Sequence, residues 1–275
     1  MWREKKVKYS ISDIANLLGI SIVTVRNYEK CGLIEPVRNE QNNYRQYNAI
    51  DMNLIRRARS YMSYGFSLNE STGMIFDKDL SELSQLIQSK ECQIEKQILR
   101  DHQLLRFLRE HSSHLQRVSA SIGECIIEMS PALFGFTYRE GLNMLKDEKL
   151  LEVTRYWNEI RPFAETFQVF ALTSFIDGRI KNQTGLCIGE KYAKFFGIRE
   201  DEYIWYYPPR KSIYAIGQYT FEPDVNRDEF EFDFVAEFAK RKGVNLAGDA
   251  IGRVLHTSKS TGKGLHYIEI WVPIE

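Results

Sequence analysis

The stretch SISDIANLLGISIVTVRNYEKCGLI, residues 10–34, predicts two short helices joined by a sharp turn. Ser10 lies three residues before Asp13, the spacing at which an N-cap hydroxyl and an N3 carboxylate satisfy the first free amides of a helix. A second helix begins at Ser21, shortly after Gly19, because glycine can end a helix and turn the chain. Two helices joined by so short a turn predict a helix-turn-helix.

The second helix carries side chains suited to a DNA groove. We expect Val25 and Tyr28 to face inward and four neighbours to point outward: Ile22, Val23, Arg26 and Asn27. Arginine can bridge a guanine edge or a phosphate, asparagine can pair with adenine, and an apolar side chain can touch a thymine methyl group. The alternative interpretation is an ordinary solvated helix face.

A hairpin is predicted directly after these helices. In VRNEQNNYRQY, residues 37–47, the turn-prone pair Asn42-Asn43 stands beside Tyr44 and Arg45. Such a sequence favours two short strands with a tight turn between them. One cation and one phenol would then lie at the tip, where they could grip the DNA backbone.

Two further helices complete the N-terminal region, or head. Asn48 and Ser67 each precede an acidic residue by three positions, which repeats the capping pattern. The first of these helices combines an apolar stripe with arginines on its other faces: Leu54, Ile55, Ala58 and Met62, with Arg56, Arg57 and Arg59. Phosphate contacts from such arginines position a protein on DNA without reading its sequence.

Length, charge and cysteine spacing limit the class of protein. A chain of 275 residues favours two or more units, each with its own core. Residues 1–75 hold 11 Lys and Arg against 7 Asp and Glu, which leaves 26 against 30 for the rest, so nucleic acid is expected to bind the head alone. The four cysteines lie far apart, so no disulfide framework is predicted. The sequence has no leading apolar stretch and no apolar run of about 20 residues, so neither a secretory signal nor a membrane span is predicted. We therefore expect a cytoplasmic protein.

The middle of the chain predicts a dimer. Residues 79–118 contain neither proline nor glycine and would reach roughly 60 Å as one helix. Apolar residues recur there at heptad spacing: Ile87, Ile94, Ile98, Leu105, Leu108 and Leu115. A lone long helix cannot bury that seam, so a second copy is expected to cover it. The alternative is a helix packed on its own domain, and the histidines at 102, 111 and 114 are expected on solvated faces.

Residues 124–275 predict a small-molecule cleft. They hold 25 of the 35 aromatic residues, and a strand pair over residues 124–138 is expected to open the region. The order strand, helix, strand, strand then occurs twice. Two such halves can pair into a pseudo-symmetric sheet, and a concave site walled by aromatic side chains is the default for small-molecule binding.

The head carries a family resemblance. Residues 9–34, with NYRQY at 43–47 and YGFSL at 64–68, resemble the winged-helix head of the MerR transcriptional regulators. The resemblance implies that Arg26 and Tyr28 contact DNA from the recognition helix, Arg45 from the wing and Arg59 at a phosphate. Asn27 stands where the family commonly has an aromatic residue. The full candidate DNA-binding set is Val23, Thr24, Arg26, Asn27, Tyr28, Tyr44, Arg45 and Arg59.

The C-terminal region is similar to GyrI-like effector domains, and the whole chain resembles the multidrug-sensing branch of the family. The likeness rests on element order, the ending YIEIWVPIE and the segment YTFEP. In that branch a buried glutamate on the strand that matches GDAIGRVLH faces cationic ligands, and here Gly252 stands at its position. The loss of this acid and of its side chain implies a weaker preference for cations and a larger cleft, which would suit a bulkier or neutral aromatic ligand. Glu269, flanked at two-residue spacing by Tyr267 and Trp271, is the remaining acid that could hold a cation. Its alternative is an exposed strand carboxylate. The candidate ligand-binding set is Phe221, Gly252, Val254, His266, Ile268, Glu269 and Trp271.

These observations predict an α+β protein with four segments: a winged helix-turn-helix head at 1–77, a dimerisation helix at 78–118, a linker at 119–123 and a duplicated strand-helix-strand-strand, GyrI-like domain at 124–275. By resemblance it is a homodimeric activator that binds double-stranded promoter DNA, responds to a small aromatic, cationic or neutral effector, and distorts DNA so that RNA polymerase can engage it. No cofactor, metal, catalytic residue or membrane partner is predicted.

Three alternatives belong to other classes. A metal or redox sensor would use Cys92 and Cys125, which bracket the long helix, although no further cysteine follows nearby. A small-molecule hydrolase would use Glu269 with Tyr267 or His266. A constitutive architectural DNA binder would carry a vestigial C-terminal cleft.

Overall fold

The computed structural model describes residues 8–140, 143–145, 147–177, 181–220, 232–259 and 264–275. The chain divides into two compact units, residues 1–101 and 102–275, and the division falls within one long helix. The fold is mixed α+β, with a helical N-terminal unit and a sheet-rich C-terminal unit.

The first unit opens with four helices and a two-stranded hairpin: α1 (Ile11–Leu18), α2 (Ile22–Lys30), β1 (Val37–Arg38), β2 (Arg45–Gln46), α3 (Ala49–Ser63) and α4 (Leu68–Phe76). The capping boxes predicted at Ser10, Asn48 and Ser67 are confirmed, each with its N3 carboxylate in place. Gly19 ends α1 at a φ of 61°, a left-handed conformation that suits glycine, and Ser21 caps α2. The helix-turn-helix therefore follows from local capping chemistry.

The core of the first unit joins these helices to the hairpin. Ile14, Val25, Leu33, Tyr47 and Ile55 are buried in one apolar cluster. The inward face of α3 differs slightly from the predicted stripe. Tyr61 is buried there, whereas Met62 is exposed, because the helix turns about 100° at each residue and brings the earlier position toward the core.

The long helix α5 (Leu80–Val118) has 39 residues, and the predicted helix is confirmed. The side chains of the predicted heptad seam are all exposed, with between 36% and 51% of their surface accessible: Ile87, Ile94, Ile98, Leu105, Leu108 and Leu115. Phe107 and Val118 of the same helix are buried. The apolar side chains of α5 thus fall into two groups: Phe107 and Val118 are buried within the chain, and the six seam residues are exposed.

The second unit continues from α5 with strands and short helices: β3 (Cys125–Met129), β4 (Leu133–Glu140), β5 (Asn143–Met144), α6 (Glu148–Glu159), β6 (Ala164–Phe170), α7 (Ser174–Asp177), β7 (Asn182–Gly189), α8 (Glu190–Phe196), β8 (Trp205–Tyr207), β9 (Lys211–Thr220), α9 (Asp233–Lys242), β10 (Ala250–Ser258) and β11 (Leu265–Pro273). Over the described residues the strands form one nine-stranded antiparallel sheet of order β3-β9-β11-β10-β6-β7-β4-β5, with β8 paired to β4. The two strands predicted over residues 124–138 are present as β3 and β4, but the prediction that they pair with each other is wrong, since β3 pairs with β9 and β4 with β7.

The sheet has two distinct faces. On one face, α9 covers a cluster that includes Phe170, Ala250 and Ile270, and α6 covers a second cluster that includes Ala164 and Trp157. Successive residues of a strand point to opposite faces. The other face therefore carries the intervening residues, among them Leu133, Phe167, Ile251 and Trp271, which form a third cluster.

Candidate functional site

The outer face of α2 has the predicted orientation. Val25 and Tyr28 are buried in the core of the head, while the other predicted side chains are exposed: Ile22, Val23, Arg26 and Asn27. Thr24 is half-buried, and its hydroxyl lies 2.8 Å from that of Ser21 at the helix start. An arginine, an amide and a valine are thus presented together on a short helix.

Tyr28 faces inward, as the sequence predicts, and this burial bears on its predicted contact with DNA. Only 4% of the residue is exposed, and it packs in the apolar cluster with Val25 and Leu33. Burial raises the pKa of its phenol, and nearby Arg59 opposes that rise. Its ring supports the helix from within, so its contribution to a DNA surface is limited to the small accessible edge.

Of the two groups predicted at the hairpin tip, Tyr44 lies in the turn that joins the strands, whereas Arg45 is the first residue of β2. Asn43 adopts a left-handed φ of 59°, which the turn requires, and the neighbouring Tyr44 is 73% exposed. The Arg45 Nε donates a hydrogen bond to the Glu29 Oε2 at 3.0 Å, and the Tyr47 hydroxyl donates to the other oxygen of Glu29. One carboxylate of α2 therefore holds the hairpin. Sequence reasoning missed this role, although an acid among the basic residues of α2 was a usable signal.

Arg59 also has a structural partner. Its Nη1 donates a hydrogen bond to the Leu18 carbonyl oxygen at 2.8 Å, which satisfies a carbonyl at the end of α1. The rest of the side chain is exposed. The candidate DNA-binding residues therefore lie on α2, the hairpin and α3 of a single unit.

The candidate ligand-binding residues divide between the two faces of the sheet. Gly252, Val254 and Ile268 face the core under α9, and a Cβ on Gly252 would lie 3.0 Å from side-chain atoms of Ile268 and Ile270. The absence of a side chain at Gly252 therefore leaves space for the core side chains of Ile268 and Ile270, and it does not enlarge a cleft. Phe221 lies outside the described residues.

His266 lies away from the remaining candidates. It pairs with Thr257 near the far end of β10, and its Nδ1 lies 2.8 Å from the Thr257 hydroxyl oxygen. Burial lowers the pKa of His266, and nearby Arg139 lowers it further. Of the predicted set, Glu269 and Trp271 remain together, on the face opposite α9.

Glu269 is fully buried and bonded, so the alternative of an exposed strand carboxylate does not describe it. Its Oε1 accepts hydrogen bonds from the Arg253 Nε at 2.8 Å and Nη2 at 2.6 Å. Its Oε2 accepts from the Tyr214 hydroxyl at 3.0 Å and lies 2.7 Å from the His114 Nε2. Burial alone would raise the pKa of this carboxyl, but the Arg253 guanidinium and His114 hold it below its ordinary value.

Sequence reasoning missed all three partners of Glu269: Arg253, Tyr214 and His114. Arg253 stands directly opposite Glu269 in the β10–β11 pairing, and its Nη1 also bonds the Glu165 Oε2 at 3.0 Å. His114 was expected on a solvated face, which is wrong, because the last third of α5 packs against the sheet within the second unit. The Glu110 carboxylate of α5 likewise accepts a hydrogen bond from the Tyr192 hydroxyl at 2.9 Å.

A cleft of about 400 Å³ opens on the same face as Glu269. Its walls are mostly aromatic and apolar, and they include Trp205, Tyr206, Tyr207, Ile251 and Trp271. Trp205 is 62% exposed at its rim. Arg210, Asp249, Ser130 and Ser212 line it as well. Aromatic walls combined with such polar groups suit a planar molecule that also carries polar atoms.

Metal sites need clustered ligand side chains, and membrane spans need long apolar helices. In the described ranges, no group of three or more His, Cys, Asp or Glu side chains is placed to hold a metal ion. Burial raises the pKa of the Cys125 thiol to about 11, which disfavours the thiolate that a metal would need. No helix in the described part of the chain combines the length and apolarity needed to cross a membrane.

Comparison with known proteins identifies the family. The model of the MerR family of regulatory proteins matches residues 10–47. The HTH-type transcriptional regulator HmrR of Rhizobium leguminosarum bv. viciae is 32% identical over 110 residues, 38% of this chain and 84% of that protein. The chain belongs to the MerR family.

Other relatives match over shorter stretches or at lower similarity. The HTH-type transcriptional regulator CueR of Escherichia coli O157:H7 is 33% identical over 66 residues, 24% of this chain. The chain spans about half the length of the first curated relatives that it matches, 49% for CueR. A cryo-EM structure of an EcmrR–DNA complex is 15% identical and covers 97% of this chain and 99% of that chain, with a TM-score of 0.37.

Proposed function

We propose that the protein is a DNA-binding transcriptional regulator that places α2 in the major groove of promoter DNA. The observation that carries the proposal is the exposed face of α2, where Val23, Arg26 and Asn27 stand beside the hairpin that Glu29 holds. An arginine and an amide can read base edges there, while the hairpin and α3 contact phosphates. The proposed DNA-contacting set is Val23, Thr24, Arg26, Asn27, Tyr44, Arg45 and Arg59, with the accessible edge of Tyr28.

The active form is proposed to be a homodimer joined through α5. The six heptad positions on that helix are apolar and at least 36% exposed. Exposed apolar side chains repeated at heptad spacing favour association with a second helix of the same kind. A dimer would present two heads to two half-sites on the DNA.

The second unit is proposed to be a duplicated, GyrI-like effector domain. Its support is the repeated order β4-α6-β6-β7 and β9-α9-β10-β11, in which the last strand of each half pairs with the first and second strands of that half. The proposed effector site is the aromatic cleft, with Trp271 at its wall. Gly252, Val254 and Ile268 lie on the opposite face, and they would then contribute to the apolar core and not to the effector site.

Effector binding is proposed to activate transcription by RNA polymerase through distortion of the promoter. Bending or untwisting a site of this size costs several kcal/mol. A ligand can shift an equilibrium only by its different affinity for two states. The effector must therefore favour the conformation of the dimer that holds the distorted DNA, and additional affinity alone would not activate.

Selection from a random DNA pool with the purified full-length protein tests this function. We expect enrichment of a sequence with two symmetry-related half-sites, protected from cleavage in a footprint. A panel of planar dyes is then titrated while tryptophan fluorescence is recorded, and the dyes that bind are added to transcription reactions. Failure to enrich any sequence over the variant Arg26→Ala would refute the DNA-binding proposal.

A further inference from the structure

A stripe of four exposed side chains runs along α2: Val23, Arg26, Asn27 and Lys30. Their spacing of i, i+3, i+4 and i+7 places them on one face of the helix. Val25 and Tyr28 are buried and turn the opposite face into the core of the head. With a rise of about 1.5 Å per residue, the stripe runs about 10 Å along the helix axis, roughly three base-pair steps of DNA.

Asn27 is an unfavourable residue at its position in the helix. Asparagine is a poor helix former away from the helix ends, because its side chain competes for nearby backbone groups. Ser21 already caps the start of α2, and among the described residues the Asn27 side-chain amide has no hydrogen-bond partner. A residue that costs a helix stability without a compensating contact in the fold indicates a function.

Val23 carries a cost of the same kind. Its side chain is 65% exposed, and a β-branched side chain loses rotamer freedom in a helix. The neighbouring Thr24 differs, since its hydroxyl lies 2.8 Å from that of Ser21 and serves the helix start. Val23 and Asn27 thus both face outward, about 6 Å apart along the axis, which is close to two base-pair steps.

The chemistry of these two side chains fits a site that contains A·T pairs. In the major groove adenine presents the N7 acceptor and the N6 donor, with which a side-chain amide can form two hydrogen bonds. Guanine presents two acceptors there, so the amide oxygen would face an acceptor and lose its partner. The methyl groups of a valine can contact the C5-methyl group of thymine in the same groove.

Lys30 ends the stripe, in the last turn of α2. Its side chain is exposed and forms no ion pair with the residues that the structure describes. Lysine presents a compact charge on a flexible stem, which suits a phosphate oxygen. A contact of this kind would fix the position of the helix while the residues nearer its start face the bases.

We infer that Asn27 reads an adenine and Val23 the methyl group of a thymine, so that the half-site under α2 contains A·T pairs, and that Lys30 holds α2 to a phosphate. The inference rests on the proposed function, because it names the bases that the DNA-contacting helix takes. The first two assignments predict changes in base preference, which a purely structural role of the same residues would not produce.

Selection from a random DNA pool with the full-length protein and with two variants tests the adenine contact. We expect the natural protein to select a half-site with adenine at one position under α2. Asn27→Ala should keep the rest of that site and lose the adenine preference, and it should fold at least as well, since alanine is the better helix former. Asn27→Asp offers only acceptors, so the preference at that position should move to cytosine, whose N4 amino group donates.

Deoxyuridine tests the thymine contact, because it lacks only the C5-methyl group. Each thymine of the selected site is replaced in turn, and binding is measured by mobility shift at fixed salt. We expect one replacement to weaken binding by the natural protein about fourfold, the ratio that one buried methyl group gives, and to leave binding by Val23→Ala unchanged. Equal loss in both proteins, or no loss at any thymine, overturns the assignment of Val23.

Lys30→Gln should weaken binding to selected and random DNA by the same factor. The slope of log affinity against log salt concentration should fall by about one. The matched control is Lys96→Gln, at an exposed position of α5 outside the stripe, which should keep the slope of the natural protein. An unchanged slope in Lys30→Gln overturns the phosphate contact.

The selection separates the inference from the function on which it rests. A site selected by the natural protein whose base preferences stay the same in Asn27→Ala overturns the inference and leaves the DNA-binding proposal standing. Enrichment of no sequence by the natural protein overturns both.

Discussion

Glu29 on α2 and Arg45 in the hairpin form a part-buried ion pair, with the Glu29 Oε2 3.0 Å from the Arg45 Nε. The Tyr47 hydroxyl bonds the same carboxylate. A negative group on the surface proposed to bind DNA would repel phosphate, so its presence there calls for a structural reason. Holding the hairpin at a fixed distance from α2 supplies that reason.

Glu29→Gln should weaken specific operator binding even though it removes a negative charge. The substitution ends the charge-assisted hydrogen bond to Arg45, and a bond of this kind contributes about 1.5–3 kcal/mol at most. Since Arg45 is partly exposed, we expect a smaller loss, of about 1 kcal/mol in binding free energy. Mobility-shift titration at fixed salt measures it. Glu35→Gln, which removes an exposed acid of the same unit, is the matched control and should bind unchanged or slightly better.

Arg26→Ala should weaken operator binding by about 1–3 kcal/mol if the side chain makes a bidentate contact with a base. Arg26→Lys separates base reading from phosphate contact. Lysine keeps the charge and loses the planar pair of donors, so we expect lost discrimination between operator and random DNA with little change in salt dependence. Equal discrimination by the lysine variant in a footprinting titration would contradict base reading by Arg26.

Replacing Ile94 and Leu105 together with Asp should give a monomer that keeps its folded head. Both side chains are about half exposed on α5, so the substitution places charge in the proposed joint without opening a core. Operator affinity should fall because the two half-sites are no longer engaged together. Analytical ultracentrifugation measures the association state. Lys96→Asp, at an exposed position of α5 outside the seam, should stay dimeric, and an intact dimer in the double variant would refute the seam.

Acidification should destabilise the second unit through Glu269. Its folded-state pKa lies below the ordinary value of 4.5, so its stabilising contribution is present above that pH and is lost as the pH falls through the folded-state pKa. The groups that face it are His114, Tyr214 and Arg253.

Glu269→Gln should remove this part of the pH dependence and lower the stability near neutral pH by at most about 3–5 kcal/mol, since Arg253 loses one of its two buried carboxylate partners and keeps Glu165. Thermal unfolding followed by tryptophan fluorescence over a range of pH measures both effects. Glu152→Gln on the exposed side of α6 is the control, and it should unfold with the pH profile of the natural protein. An unaltered profile in Glu269→Gln would count against the buried network.

Local signals made the head and the long helix predictable. The caps at Ser10, Asn48 and Ser67 act within one turn of helix, and the seam on α5 follows from the spacing of its own residues. The charged cluster around Glu269 depends on contacts between distant parts of the chain. Arg253 meets Glu269 only through the register of β10 with β11, and His114 lies 155 residues away in sequence.

Strand alternation explains why the predicted ligand set was only partly brought together. Gly252 and Arg253 are neighbours in sequence, yet Gly252 faces the core under α9, whereas Arg253 lies on the opposite face of the sheet and bonds Glu269. The sequence pattern predicts which residues share a face of a strand. It does not predict which face a helix will cover, because that depends on how α9 packs against the sheet.

The packing of α5 against the sheet has a practical consequence for preparing the effector domain in isolation. A fragment beginning at residue 119, where the predicted boundary lies, would lack Phe107, Glu110 and His114. The apolar cluster beside Tyr192 would then be uncovered, and Glu269 would lose one of its donors. An expressed fragment should therefore begin near His102, so that the end of the helix is retained as part of the domain that it covers.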